Sequence, residues 1–333
     1  MDIRERLIDI INSWQRKRLA ILGDVMLDEY IIGNVERISP EAPVPIVEMK
    51  EERYTLGGAA NVANNIKTLG GEPFLFGVIG EDREGEKILE ILKEKDIHST
   101  LIKDKKRPTT LKTRILALGQ QIVRIDKEQR DFISSEIEEF LFKQIRENVD
   151  DTDLFILSDY AKGVLTPSLT QNIINLAKKS GKEIIVDPKG QDYSKYRGAS
   201  FITPNEKEAK TATNINENFE IYSCGEKLLK IIEGKGVLIT RGEKGMFLYQ
   251  PDLRIFIPAL RTQVRDITGA GDTVVSAFSL ALISGANPLE AALIANFAAG
   301  CVVRKLGSST LTVSELISIL PEKIELRDEN VYF

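Results

Sequence analysis

Histidine is nearly absent from this 333-residue chain, and His98 is the only one. A mechanism that needs two histidines is therefore excluded, and a lone His98 reads as a surface residue rather than a catalyst. Cysteine is as scarce. Cys224 and Cys301 lie far apart and supply neither a disulfide framework nor a zinc site, which fits a reducing cytoplasm. No apolar run reaches the length of a membrane span. The N-terminal segment carries acids in an amphipathic helical pattern, not the features of a secretory signal. Positive charge is not in excess either. The net charge is −5, and no stretch concentrates Lys and Arg among aromatics, so nucleic acid is not the main partner. The basic cluster 103–107 reads as a solvated loop. Internal repeats and low-complexity linkers are lacking. One domain over 1–320 is expected, followed by a tail, 321–333. Its last residues, 329–333, resemble part of a protease-cleavable tag and are set aside.

What is present is an alternation. Short apolar runs at 17–25, 74–79, 154–158, 183–187, 201–203 and 236–240 read as buried strands. Helical patterns fall between them at 61–69, 84–95, 134–147, 168–179, 206–211 and 225–232. This rhythm predicts an α/β fold with a mostly parallel central sheet and helices on both faces. Ligands in such sheets bind beyond the carboxyl ends of the strands. The strand ends carry Asp24, Gly80, Asp159, Asp187, Asn205 and Arg241-Gly242, a set of polar and glycine residues that suits one rim. Two segments break the rhythm. Residues 30–54 and 109–126 alternate apolar and polar side chains and read as a small β-sheet lid.

The most informative segment is Asp266-Ile267-Thr268-Gly269-Ala270-Gly271-Asp272. Gly269, Ala270 and Gly271 allow a tight turn with exposed backbone N–H groups, and residues 273–283 form an apolar helical run. Donors at a helix N-terminus attract phosphate or developing negative charge. A carboxylate at that mouth would be repelled by bound phosphate. Asp272 therefore reads as a general base that deprotonates an alcohol attacking a phosphoryl group. A helix-capping Asp after a glycine turn is the alternative reading.

Two signatures together carry a resemblance. Gly57-Gly58-Ala59-Ala60-Asn61-Val62-Ala63, followed by Gly70 and Gly80, resembles the N-terminal signature of the ribokinase or phosphofructokinase-B sugar kinases. The segment 266–278 resembles their C-terminal signature, with Ile267 as a departure where the usual pattern has Thr, Ser or Val. The likeness spans about 17–320 and implies a ribokinase-like three-layer α/β/α domain with a β-lid. Within that family, five segments are similar to the heptose 7-phosphate kinases of ADP-heptose biosynthesis. They are 23–28 (GDVMLD), 37–45 (RISPEAPVP), 120–126 (QQIVRID), 158–163 (SDYAKG) and 187–190 (DPKG). The resemblance implies transfer of phosphate from ATP to the anomeric hydroxyl of D-glycero-D-manno-heptose 7-phosphate in a bacterial cytoplasm. It also implies a separate adenylyltransferase for the later nucleotidyl step. A kinase for another sugar, such as ribose or fructose 1-phosphate, keeps the same fold; a non-catalytic binding protein would be expected to have lost Asp272 or the glycines.

The resemblance assigns further roles. Asp272 is the expected base, with Gly269, Ala270 and Gly271 as the anion hole. Asp24, Asp28, Gly57, Gly58 and Asn61 are placed at the sugar. Arg124, Lys162 and Lys189 are candidates for phosphate, with Arg37 and Lys112 as weaker ones. Asn205 and Glu208 fit an Asn-x-x-Glu motif in which Glu208 holds Mg²⁺ through water; they also make a good helix-capping pair. Asp187 is a candidate partner of metal or lysine. Thr240, Gly242 and Gly245 resemble the loop beside adenine and ribose. Asn296 reads either as an adenine-side residue or as a satisfied polar group between helices, and Ser309 as a possible rim residue. Apolar lid residues, among them Ile31, Ile32, Val35, Val44, Ile46, Val47 and Ile115, predict a homodimer joined through the lids.

Overall fold

The computed structural model describes residues 2–215, 220–327 and 329–333. Among them are fifteen strands and ten α-helices. The strands are β1 (Arg18–Gly23), β2 (Val25–Ile38), β3 (Pro45–Gly58), β4 (Glu72–Gly80), β5 (His98–Asp104), β6 (Thr110–Ala117), β7 (Gln120–Lys127), β8 (Leu154–Ser158), β9 (Glu183–Asp187), β10 (Phe201–Ile202), β11 (Gly236–Thr240), β12 (Met246–Gln250), β13 (Leu253–Ile257), β14 (Glu325–Arg327) and β15 (Asn330–Tyr332). The helices are α1 (Ile3–Asn12), α2 (Ala59–Thr68), α3 (Arg83–Glu94), α4 (Ser135–Glu147), α5 (Pro167–Lys179), α6 (Glu206–Thr213), α7 (Ile221–Ile232), α8 (Ala270–Ile283), α9 (Pro288–Val302) and α10 (Val313–Ser318).

Eleven strands form one sheet in the order β14-β15-β13-β12-β11-β10-β9-β8-β1-β4-β5. The seven from β5 to β11 are all parallel. Strand order reverses around β1, which lies between β4 and β8. Such a switch point opens a crevice at the carboxyl ends of the strands.

Alternation along each strand builds two cores. Leu19, Ile21, Leu154 and Ile156 face one cluster, while Ala20, Leu22, Phe155 and Leu157 face the other. The first cluster takes in α1, α2, α3, α8, α9 and α10, along with the buried Trp14; the second takes in α4, α5, α6 and α7. The result is a three-layer α/β/α fold. Helix α8 is apolar on all sides because it lies inside the first core, with Val275 and Phe278 fully buried.

The remaining four strands make a second sheet, β3-β2-β6-β7. It is the lid expected from 30–54 and 109–126, although β2 and β3 extend inward to Val25 and Gly58. β2 continues from β1 after a single residue, Asp24, so the lid is rooted directly at the switch point. Pairing of β2 with β3 shifts register between Ile32 and Gly33 and again between Val35 and Arg37. Such bulges twist a ribbon away from flatness.

The antiparallel additions β12 and β13 follow β11 as a hairpin. The segment set aside as a tail carries β14 and β15: β15 pairs with β13 at Asn330 and Phe256, Val331 is buried, and the Phe333 ring lies 5.1 Å from that of Phe297. The amphipathic N-terminal segment is α1; Met1 lies outside the described residues. No described helix is long and apolar enough to cross a membrane.

Candidate active site

Asp272 sits at the third position of α8 and is only 4% exposed. Its Oδ2 accepts a hydrogen bond of 2.6 Å from the Asn61 side-chain amide, and its Oδ1 accepts from the Tyr160 hydroxyl. Burial pushes its carboxyl up to about 6, while the donors Tyr160 and Asn61 pull the other way. The charge of Asp28 adds to the upward push and that of Lys112 opposes it. The two signature motifs, 211 residues apart, thus meet in one hydrogen bond.

The turn before α8 is organised by Asp266. Its Oδ1 accepts from the Thr268 N–H and hydroxyl, and its Oδ2 accepts from the Gly307 N–H. Gly269 then takes φ of +78°, and a Cβ there would come within 2.8 Å of the Asn61 amide nitrogen. Only glycine satisfies both conditions. Ala270 donates its N–H back to Ile267, which removes it from the expected anion hole. The donors at Gly271 and Asp272 belong to the first helical turn, where no intrahelical acceptor is in reach. Nothing lies within 4 Å of where a Gly271 Cβ would sit, so the approach to that turn is open.

The sugar-side residues divide. Asp28 accepts from Arg114 at 2.6 Å through Oδ1 and from the Ser308 hydroxyl at 2.9 Å through Oδ2. A Cβ at Gly57 would stand 2.9 Å from the same carboxylate. At Gly58 φ is +57°, and a Cβ would clash with the Asp24 carbonyl at 2.3 Å, so glycine lets β3 turn into α2 against β1. Asp24 itself does not face the crevice as an acceptor for hydroxyls. Its carboxylate accepts three backbone N–H bonds, from Tyr160 at 2.8 Å, Lys162 at 3.0 Å and Val164 at 3.1 Å. It holds the 159–164 loop in place.

The candidate cations divide in the same way. Arg124, on the wholly exposed β7, forks onto Asp126. Lys162 pairs with Glu128 at 2.7 Å. Lys189 pairs with Glu208. Arg37 lies at the exposed end of β2. Lys112, read as a weak candidate, is the cation whose charge reaches Asp272, and its ammonium stands 5.5 Å from the Tyr160 ring centroid. Burial depresses its pKa. Arg114 is not legible in the sequence because its partner, Asp28, lies on another strand; Tyr160 and Ser308 likewise meet partners, Asp272 and Asp28, that lie far away along the chain.

On the other side of the crevice, Asn205 and Glu208 make a full capping box on α6, with both reciprocal bonds at 2.9 Å. The other Glu208 oxygen takes Lys189. Asp187 ends β9 and accepts from Thr203 at 3.1 Å. Burial holds its carboxyl well above the usual range, reinforced by the charges of Asp272 and Glu208. Among the described residues no cluster of three or more acidic, His or Cys side chains is arranged to hold a metal. Glu208, already capped and ion-paired, suits a metal only through intervening water. Thr240 ends β11, and Gly242 and Gly245 frame the turn into β12, closed by a bond of 2.8 Å from the Arg241 N–H to the Gly245 carbonyl. Asn296, buried on α9, donates to the Pro258 carbonyl at 2.8 Å just beyond the end of β13, so its amide N–H is satisfied by a strand end rather than by a neighbouring helix. Ser309 turns its hydroxyl to the Leu306 carbonyl, while its neighbour Ser308 donates to Asp28.

A parallel sheet, a β-lid rooted at its switch point and a buried carboxylate beside open helix N–H groups together define a ribokinase-like phosphotransferase scaffold. Solved structures share it. The chain matches ribokinase from Thermotoga maritima with a TM-score of 0.72 at 22% identity, covering 91% of this chain and 98% of that one. It matches phosphofructokinase-2 from Escherichia coli in complex with potassium with a TM-score of 0.74 at 20% identity, covering 92% and 98%. Residues 16–315 match the model of the pfkB family of carbohydrate kinases, and the chain belongs to that family. It is a sugar kinase, and the family implies ATP as phosphoryl donor. Among its relatives is the bifunctional protein HldE of Wolinella succinogenes, 46% identical over 314 residues, 93% of this chain and 66% of that protein. The HldE of Helicobacter pylori is 43% identical over 309 residues, 91% and 66%. The chain thus spans about two thirds of the length of these relatives.

Proposed function

We propose that the chain transfers the γ-phosphoryl group of ATP to the anomeric O1 of D-glycero-D-manno-heptose 7-phosphate, giving the 1,7-bisphosphate. The buried Asp272 carboxylate, held by Asn61 and Tyr160 next to the open first turn of α8, is the observation that carries the reading. The segments shared with heptose 7-phosphate kinases and the similarity to HldE proteins support the choice of acceptor.

In this reading Asp272 removes the proton of the acceptor hydroxyl as its oxygen bonds to the γ-phosphorus. The bond from that phosphorus to the bridging oxygen breaks, and its electron pair leaves with ADP. The proton ends on Asp272. The N–H groups of Gly271 and Asp272 meet the charge that develops on the transferring oxygens, a contribution that comes from donors already in place. Lys112 and Arg114 lie on the sugar side and supply positive charge for the substrate phosphate; Lys189 lies on the nucleotide side. Glu208 would hold Mg²⁺ through water, and Mg²⁺ would neutralise phosphate charge. Asp28 orders the sugar, with Gly57 leaving it room. A separate adenylyltransferase then consumes the product, and two copies pair through their lids.

The test is ATP consumption by the purified protein with Mg²⁺. D-glycero-D-manno-heptose 7-phosphate is compared with ribose, fructose 6-phosphate and fructose 1-phosphate, with Asp272→Asn alongside. Turnover of the heptose phosphate alone, reduced on the order of 10²–10⁴-fold in the variant, is expected. Preferential turnover of another sugar would sink the heptose assignment and leave the mechanism standing.

A further inference from the structure

Both oxygens of Asp272 are held, yet only the Asn61 side of that grip lies in a recognised sugar-kinase signature. The other side is Tyr160, and the fold goes to some length to fix it. The Asp24 carboxylate gathers the N–H groups of Tyr160, Lys162 and Val164. Asp159 accepts from the Ala161 N–H at 2.7 Å and from the Tyr196 hydroxyl at 2.6 Å. Between them Ala161 adopts φ of +55°, a left-handed conformation that a side chain disfavours and that the surrounding bonds must maintain. The ammonium of Lys112 stands over the Tyr160 ring. A loop so constrained aims one phenol at one carboxylate.

We propose that Tyr160 is a positioning residue for phosphoryl transfer, which orients the Asp272 carboxylate and keeps it ionised so that the acceptor hydroxyl meets a fixed, charged lone pair. The proposal rests on the reading of Asp272 as the base. The physical need is plain. A carboxylate removed from water takes up a proton unless donors favour its charged form. Asn61 from α2 and Tyr160 from the loop after β8 are the donors that touch it. Asp28 on β2 and Asp187 on β9 face it with like charge, and Lys112 on β6 with opposite charge. Burial and the neighbouring Asp272 push the phenol's own ionisation well upward, so Tyr160 remains a donor throughout the working range. A carboxylate oxygen has two lone pairs, so Oδ1 can keep Tyr160 and still receive the substrate hydroxyl.

The experiment is the pH dependence of kcat/KM for the full chain carrying Tyr160→Phe, with 3-fluorotyrosine placed at the same position as a second variant. Loss of the hydroxyl should move the acid limb upward by about one pH unit, which alone lowers kcat/KM at pH 7 by roughly twofold and well below the limb by roughly tenfold, with KM for ATP unchanged. Fluorotyrosine keeps the ring and strengthens the donor, so it should move the limb downward. Opposite shifts are not expected of a residue that only fills space. Limbs that stay in place in both variants, or a change confined to KM, overturn the proposal. Should the phenylalanine variant fail to fold, the fluorotyrosine variant decides alone. Asp272→Asn measured in parallel separates the two readings: if it stays active, the base assignment fails, whereas its inactivity with unmoved limbs at Tyr160 sinks the tyrosine alone.

Discussion

The base role proposed for Asp272 works against the stability of the fold. Its folded-state carboxyl is raised to about 6, above the ordinary carboxylate range, so folding disfavours its ionised form. The stability associated with this group is complete below the unfolded value near 4 and is lost as pH rises through about 6. A base must be ionised, so activity follows the opposite course and declines as pH falls through the same value. Asp272→Asn should therefore be inactive and yet more resistant to unfolding at pH 8 than the native chain. The advantage should be on the order of 2–3 kcal/mol and should shrink to nothing near pH 4. Asn61 helps the exchange. Its Oδ1 is buried with no hydrogen-bond partner among the described residues, and a flip of its amide would offer that oxygen to the new side chain. Thermal melts of both proteins at pH 4 and pH 8 check this; equal stability at pH 8 would count against a carboxylate strained by burial.

At the scale of elements, the site depends on a loop rather than on a helix or strand. The 159–164 segment bends without any helix or strand, and Asp24 substitutes for a ladder by collecting three of its N–H groups. Asp24→Ala would leave those donors buried and unpaired. A loss of about 3 kcal/mol or more is expected, since each stranded buried donor costs about 1–3 kcal/mol. Urea unfolding measures it, and activity should drop further than Asp24→Asn, which retains one acceptor oxygen.

How far such elements were legible differs between them. The runs 154–158, 183–187 and 236–240 coincide with β8, β9 and β11 because buried parallel strands are continuous apolar stretches with polar ends. The hairpin of β12 and β13 escaped notice because it breaks the strand–helix rhythm that the reading followed, although 246–249 is apolar throughout. At the site, Asp272, Asn61 and Gly269 were visible as motifs. Asp24 was visible as a strand-end acid, but its choice of backbone donors over ligand depends on where a loop 136 residues later comes to rest. Arg124 shows the same limit. Alternation placed it on a strand and did not reveal that β7 is exposed on both faces.

For the whole molecule, the lid is the surface through which two copies are proposed to pair. β7 lies at one side of the lid sheet, and Val123 and Ile125 are 45% and 54% exposed there, with Leu118 at its turn 77% exposed. At the far end of the β2–β3 ribbon Ile38, Val44 and Met49 are exposed as well. An apolar edge strand with free backbone groups pairs readily with another strand. Light scattering at micromolar concentration should give twice the chain's mass, and Val123→Lys with Ile125→Lys should give the chain's own mass without loss of folded structure. A native protein that scatters as one chain would remove the lid-paired dimer.

The single tryptophan turns this architecture to practical use. Trp14 is sealed in the same core cluster as Val274, Val275 and Phe278, the residues that seat α8, the helix carrying Asp272. Its emission is therefore an intrinsic optical gauge of the platform beneath Asp272. A change in fluorescence would report that platform loosening before any substrate is added, and it would distinguish variants that damage the chemistry from those that damage its foundation.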